Sequence, residues 1–324
     1  MTVLTKIPSG SDHPRPHRRR LRSLAFVPTL ITLGNLLCGF AAIHFASRAM
    51  FDLGAGISPE QFITLHKPAF ERMLPSFLSV GASLIILGMI LDCFDGLLAR
   101  VTRATTNFGG QLDSLADVVT FGVAPATLMV AFMTKELAGD SIVPSPISDH
   151  ALGRLTWVAA ALYAAMTAVR LARYNVEHAK ADFDHRVFRG LPSPGAAAIM
   201  VALLLFQDQL LLQEYHWAAV LRRAIVFATP FIAMASAFLM VSRIPYRRFH
   251  RAYLLGRQPF GQFLIVMLIV AVFLAFKAET FLLLVLWYGL SGPLFYVVRK
   301  IRERVRPDKE LDSVAGHRVE RKPA

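Results

Sequence analysis

Charge is scarce in this chain, and acidic charge is scarcest. Only 18% of its 324 residues are Asp, Glu, Lys or Arg, and only 22 are acidic. Soluble domains carry roughly 25% charged residues, so this composition does not furnish the surface of a water-soluble globule. Cysteine is nearly absent. Cys38 and Cys93 both lie in apolar runs and form no CxxC, which excludes a disulfide framework and a zinc site of ordinary spacing and leaves packing as their role. No internal repeat is visible, so an inverted-repeat transporter gains no support. The histidines, among them His44, His66, His178, His185 and His250, show no ligand spacing. The net charge of +13 is not gathered on a soluble face. Its cations sit in short connectors between apolar runs, which excludes nucleic acid as a partner.

What the chain has in abundance is hydrocarbon: 55% of residues are hydrophobic, and mean hydropathy is positive. The reading is an all-α polytopic membrane protein. Runs near the 20 residues needed to cross a bilayer fall at 24–47, 76–100, 110–134, 155–175, 191–212, 223–242, 261–277 and 280–298, giving about eight transmembrane helices. The last two are separated only by Ala278 and Glu279, which predicts a tight helical hairpin. The basic stretch RPHRRRLR precedes an apolar run too long for a signal-peptide core, so the first run is read as a retained span. Segment 51–75, broken by Pro59, Pro68 and Pro75, is too polar to span and reads as an outer loop with a short interfacial helix. Placing the N-terminus inside puts 27 of the 35 Lys and Arg residues on the cytoplasmic side, as the positive-inside rule requires. The expected organisation is a basic cytoplasmic arm (1–23), a membrane domain (24–298) and a basic cytoplasmic tail (299–324). The chain would then cross the inner (cytoplasmic) membrane many times, with both termini in the cytoplasm.

Against this background, the stretch DCFDGLLARVTRATTNFGGQLDSLAD (92–117) is anomalous. Asp92 and Asp95 are three residues apart, and Asp113 and Asp117 four apart, so each pair lies on one helical face. The short connector from Val101 to Phe108 makes the two helices antiparallel neighbours, and four carboxylates then converge at one depth. Intramembrane carboxylates are costly and usually functional. Unpaired, these four would repel one another. Divalent cations resolve the repulsion, and an all-oxygen ligand set suits Mg²⁺ or Mn²⁺. Gly96 permits close backbone approach, Ala99 is small, Arg100 is placed to meet phosphate oxygens, and Gly109 and Gly110 leave room beside the cluster. Thr105, Thr106 and Asn107 supply capping chemistry for the following helix. A divalent-cation transporter is the reading from another class; it predicts acids spread through the membrane depth, whereas these sit at one end of two helices.

The pattern D-x2-D-G-x2-A-R-x8-G-x3-D-x3-D runs without departure from Asp92 to Asp117. It resembles the signature of the CDP-alcohol phosphatidyltransferase family, membrane enzymes that move a phosphatidyl-type group from a CDP-linked lipid to an alcohol. The resemblance implies that Asp92, Asp95 and Asp113 are metal ligands, and that Asp117 combines metal contact with the general-base role. It implies that Gly96, Ala99 and Arg100, with Gly109 beside them, contact the CDP moiety, and that the protein is a homodimer. The further stretches TLGNLLCGFAAI (32–43), DVVTFGVAPA (117–126), RLARYN (170–175), FRGLPSPGAAA (188–198) and MVSRIPY (240–246) are similar to the serine-transferring branch of that family. They imply CDP-diacylglycerol and L-serine as substrates. Sibling enzymes that use glycerol phosphate, inositol phosphate or choline are the alternative. Asn35, polar in an apolar span, suits either a contact with the nucleotide or donor pyrophosphate, or a bond to a neighbouring helix. Arg170 and Arg173 at the inner end of the fourth span suit either the serine carboxylate or membrane anchoring.

Overall fold

The computed structural model describes residues 26–54, 76–102, 107–138, 151–178, 187–211, 215–247 and 259–305. The N-terminal arm, the interfacial helix expected within 51–75, Thr105 and Thr106, and the tail beyond 305 lie outside the described residues, as do the side chains of Ala99 and Arg100. The elements are α1 (Phe26–Gly54), α2 (Phe77–Thr102), α3 (Asn107–Asp117), a π-helical stretch (Val118–Val123), α4 (Ala124–Ala138), α5 (Ala151–His178), β1 (Val187–Arg189), α6 (Ser193–Leu211), α7 (His216–Val241), β2 (Pro245–Arg247) and α8 (Pro259–Val305). Seven spans among the described residues are long and apolar enough to cross a membrane. The chain is a multi-pass, almost wholly helical membrane protein.

One expectation is corrected. Residues 261–277 and 280–298 do not form a hairpin turned at Ala278–Glu279; they belong to one 47-residue helix, Pro259–Val305. Ala and Glu are both good helix formers, and no Gly or Pro interrupts the run at that point. The span within this helix is Ala278–Ile301.

Small residues set the helix spacing. Lipid offers no hydrophobic drive between helices, so association depends on close packing. α6 opens SPGAAAIM, and Ala196, Ala197, Ile199, Met200, Val201 and Ala202 are all buried. Gly39 of α1 lies directly on Thr120: a Cβ there would sit 2.8 Å from the Thr120 Cα. Gly88 of α2 approaches the same threonine, and its Cβ would lie 2.6 Å from Thr120 Cγ2 and 2.9 Å from Asn35 Oδ1. α1, α2 and the π-helical stretch therefore cross at a point lined by glycine. Gly39→Ala is expected to force them apart, at a cost of about 1–3 kcal/mol for overpacking. The check is thermal unfolding in detergent, where a lower Tm than wild type is expected.

The π-helical stretch has a local cause. Pro125 has no N–H to give to the carbonyl of Phe121 one turn back. The ladder widens instead, with the Ala124 N–H bonding Val119 O, five residues away. The Phe121 carbonyl accepts a hydrogen bond from buried Tyr163 Oη of α5 at 3.1 Å. Such widened turns often mark functional sites, and this one begins immediately after Asp117.

β1 and β2 pair antiparallel, with Phe188 opposite Tyr246. This ribbon joins the FRGLPSPG and MVSRIPY stretches, which lie far apart in sequence. Gly190 adopts φ +83°, and its N–H bonds Ile244 O at 2.9 Å. A side chain there would run into the carbonyls of Leu239, Met240 and Ser242 at the end of α7. Tyr246 anchors the ribbon to α8 by donating to Gly289 O at 2.9 Å, its ring filling the space left by Gly292. Burial pushes its phenol up to about 12, which keeps the hydroxyl a donor.

These contacts also define the two ends of the bundle. α1 begins, and α2 and α5 finish, at the end that holds the aspartates. At the opposite end Asp208 accepts from Ser76, Glu136 pairs with Arg222 at 3.4 Å, and Gln209 Nε2, oriented to satisfy both groups, donates to Glu279 at 3.1 Å. α8 runs from Glu279 at that far end to Tyr288 and Gly292 beside the ribbon. The first and last crossings thus both have their outer ends on the aspartate side.

Candidate active site

Three of the four aspartates meet. Asp92 of α2 and Asp113 and Asp117 of α3 each offer a carboxylate oxygen, and these oxygens lie within 4.8 Å of one another. Asp117 is buried, while Asp92 and Asp113 are half-buried. The all-oxygen donor set at this separation fits a hard divalent cation. Asp95 is buried one turn further along α2, where its Oδ2 accepts a hydrogen bond from Thr32. It is not part of the three-carboxylate group.

α1 organises the carboxylates. Thr32 and Asn35 are three residues apart on one face and serve different aspartates: Thr32 bonds Asp95, and Asn35 Nδ2 donates to Asp117 Oδ1 at 3.2 Å. Asn35 is fully buried, and its own carbonyl accepts from Thr120 Oγ1 at 2.9 Å. Gly39, one further turn along, permits that approach. Of the two roles open to Asn35, the structure displays an interhelical bond, and its partner is the last aspartate of the pattern. Its Oδ1 is buried without a partner.

Arg170 and Arg173 separate clearly. Arg173 Nε donates to Glu177 at 2.8 Å, and its Nη1 donates to Val241 O at 3.3 Å, closing the C-terminal end of α7. Arg170 faces the site. It lies within electrostatic reach of Asp92 and Asp117, and of Tyr163, Tyr174 and Tyr288. One guanidinium nitrogen, Nη1, donates to buried Ser193 Oγ at 2.7 Å, while Nε is buried without a partner. Gly96 and Gly110 have open space where a Cβ would stand, and Gly109 lies half-buried in the first turn of α3.

Thr32, Thr120, Ser193 and Tyr288 were not singled out by the sequence reading. Thr32 had a usable signal, since positions 32, 35 and 39 share a helical face. Tyr288 had none, because only the tertiary arrangement brings α8 beside Arg170. Ser114 is a further case: it exchanges hydrogen bonds with Asn175 of α5, at 2.8 Å from the amide nitrogen, and so ties α3 in place beside Asp113.

The fold and site define a membrane-embedded helical protein with a divalent-metal-competent carboxylate centre at one end of the bundle. Residues 25–226 match the sequence model of the family described as CDP-alcohol phosphatidyltransferase, and the chain belongs to that family. Members of the family generally depend on a divalent metal. The chain is 29% identical over 240 residues to the CDP-diacylglycerol–serine O-phosphatidyltransferase of Mycobacterium bovis, covering 73% of this chain and 66% of that protein, just under two-thirds of its length. It is 26% identical over 284 residues to the Helicobacter pylori protein of the same name, covering 87% of this chain and 96% of that protein. With the Bacillus subtilis protein of that name, identity is 28% over 187 residues, covering 58% of this chain and 80% of the other.

Proposed function

We propose that this chain transfers the phosphatidyl group of CDP-diacylglycerol to the hydroxyl of L-serine, giving phosphatidylserine and CMP. The observation that carries this reading is the meeting of Asp92, Asp113 and Asp117 beside an arginine with a buried, unpartnered Nε. The names of its relatives favour serine as the acceptor. A bound Mg²⁺ or Mn²⁺ would neutralise charge on the donor pyrophosphate, held by Asp92, Asp113 and Asp117, with Asp95 adding its free oxygen. Asp117 takes the proton from the serine hydroxyl, and Asn35 fixes which of its oxygens stays available. The serine oxygen forms a bond to the phosphorus that carries diacylglycerol, the bond from that phosphorus to the CMP oxygen breaks, and CMP leaves with the electron pair. Gly96, Ala99, Arg100 and Gly109 are assigned to the CDP moiety on the aspartate pattern they belong to. The protein acts as a homodimer in the cytoplasmic membrane with both termini inside; labelling of a cysteine placed in the tail from outside intact cells would contradict that orientation.

Arg170 holds the serine carboxylate. A guanidinium grips a carboxylate through two parallel hydrogen bonds, which lysine cannot reproduce. Losing a partner of a desolvated charge pair costs about 2–5 kcal/mol, so Arg170→Lys is expected to raise KM for serine at least about tenfold, with KM for CDP-diacylglycerol nearly unchanged. Arg173→Lys is expected to leave both close to wild type, because Arg173 is committed to Glu177 and Val241. Equal KM values for serine in wild type and Arg170→Lys would remove Arg170 from the acceptor site. The function itself is tested with purified protein, CDP-diacylglycerol and a panel of L-serine, glycerol phosphate, inositol phosphate and choline. CMP release with serine alone supports the reading. Release with another acceptor and not with serine overturns it.

A further inference from the structure

The last crossing does not end where its apolar run ends. α8 continues to Val305, and residues 299–305, RKIRERV, hold four cations and one acid. Val297, Val298, Arg299, Lys300 and Ile301 are all exposed. On the helical period, Leu294, Val298 and Ile301 form one apolar stripe, and Arg299 and Lys300 fall on the other side of the helix. The contacts of Tyr288, Gly289 and Gly292 with Gly195, Ile199 and Tyr246 place this extension at the aspartate end.

We propose that the basic extension of α8 binds anionic phospholipid headgroups in the leaflet at the active-site end. Arg299 and Lys300 close the span, and Arg302 and Arg304 follow within one turn of it; at about 1.5 Å of rise per residue, all four positions fall within roughly one Debye length, about 8 Å at physiological salt, of the end of the span. Basic residues at that distance attract anionic lipid, by about 1 kcal/mol or fivefold each. The apolar stripe suits the boundary between headgroups and acyl chains, where amphipathic helices lie. A topological role alone would need the positive charge but no discrimination between lipids. The inference concerns the lipid around the site and is independent of which alcohol is the acceptor.

The test uses the full chain reconstituted in phosphatidylcholine vesicles with phosphatidylglycerol as a minor component. Association of spin-labelled phosphatidylglycerol is compared with that of spin-labelled phosphatidylcholine, at low and high salt. The wild type is expected to prefer phosphatidylglycerol and to lose most of that preference in high salt. Replacing Arg299, Lys300, Arg302 and Arg304 together by Gln is expected to lower the preference by at least about fivefold. Replacing the three arginines by Lys, which keeps charge and fold, is expected to retain it. No preference in the wild type, a preference unaffected by salt, or one lost in the Lys variant would each overturn the proposal. Because the readout is lipid association, it stands apart from any failure of the enzymatic reading.

Discussion

Asp117→Asn is expected to lower turnover by about 10²–10⁴-fold, the range for loss of a positioned general base, while the protein stays folded and binds nucleotide normally. The substitution is nearly isosteric. The introduced amide retains an oxygen for the hydrogen bond from Asn35, which reaches Asp117 at 3.2 Å, but it cannot take up a proton at neutral pH. The interhelical contacts at the glycine-lined crossing of α1, α2 and the π-helical stretch are untouched, so thermal stability should change little. Single-turnover measurements with saturating CDP-diacylglycerol and serine separate the chemical step from binding. A rate within about threefold of wild type would assign the proton to another group.

Removal of the divalent ion is expected to have a larger effect still. Excess chelator should stop turnover, and added Mg²⁺ or Mn²⁺ should restore it, because the carboxylates of Asp92, Asp113 and Asp117 crowd within 4.8 Å and need a cation between them and the donor pyrophosphate. Asp92→Ala is expected to weaken metal and donor binding together. Asp95→Ala should do the same less severely, since Asp95 stands outside the three-carboxylate group and already shares a hydrogen bond with Thr32. Isothermal titration with Mn²⁺, with and without CDP-diacylglycerol, reads both effects. Full activity in excess chelator would remove the metal from the reaction.

The membrane architecture was legible in the sequence because a bilayer imposes a length. Runs of about 20 apolar residues mark crossings whatever they pack against, and six of the expected spans recur as helices α1 to α7, with α3, the π-helical stretch and α4 sharing one crossing. The expected hairpin at Ala278–Glu279 did not follow, because a polar residue among apolar ones does not by itself break a helix. The aspartate pattern was equally legible, since helical spacing projects Asp113 and Asp117 onto one face before any partner is known. The division of labour between Arg170 and Arg173 was not. Three residues apart on one helix, they look alike until Glu177 and the Val241 carbonyl engage one and Ser193 the other.

By itself, the sequence determined the crossings, the basic connectors and the carboxylate pattern, because hydrocarbon thickness, the charge bias and helical periodicity act on local stretches of chain. Only the tertiary structure decided which carboxylates meet, that α1 holds Asp95 through Thr32 and Asp117 through Asn35, and that α8 brings Tyr288 beside Arg170. Those outcomes depend on how closely helices approach, and the approach is set by where glycine or alanine happens to face a neighbour, as Gly39 and Gly88 face Thr120. No periodicity along a single helix records what stands opposite it.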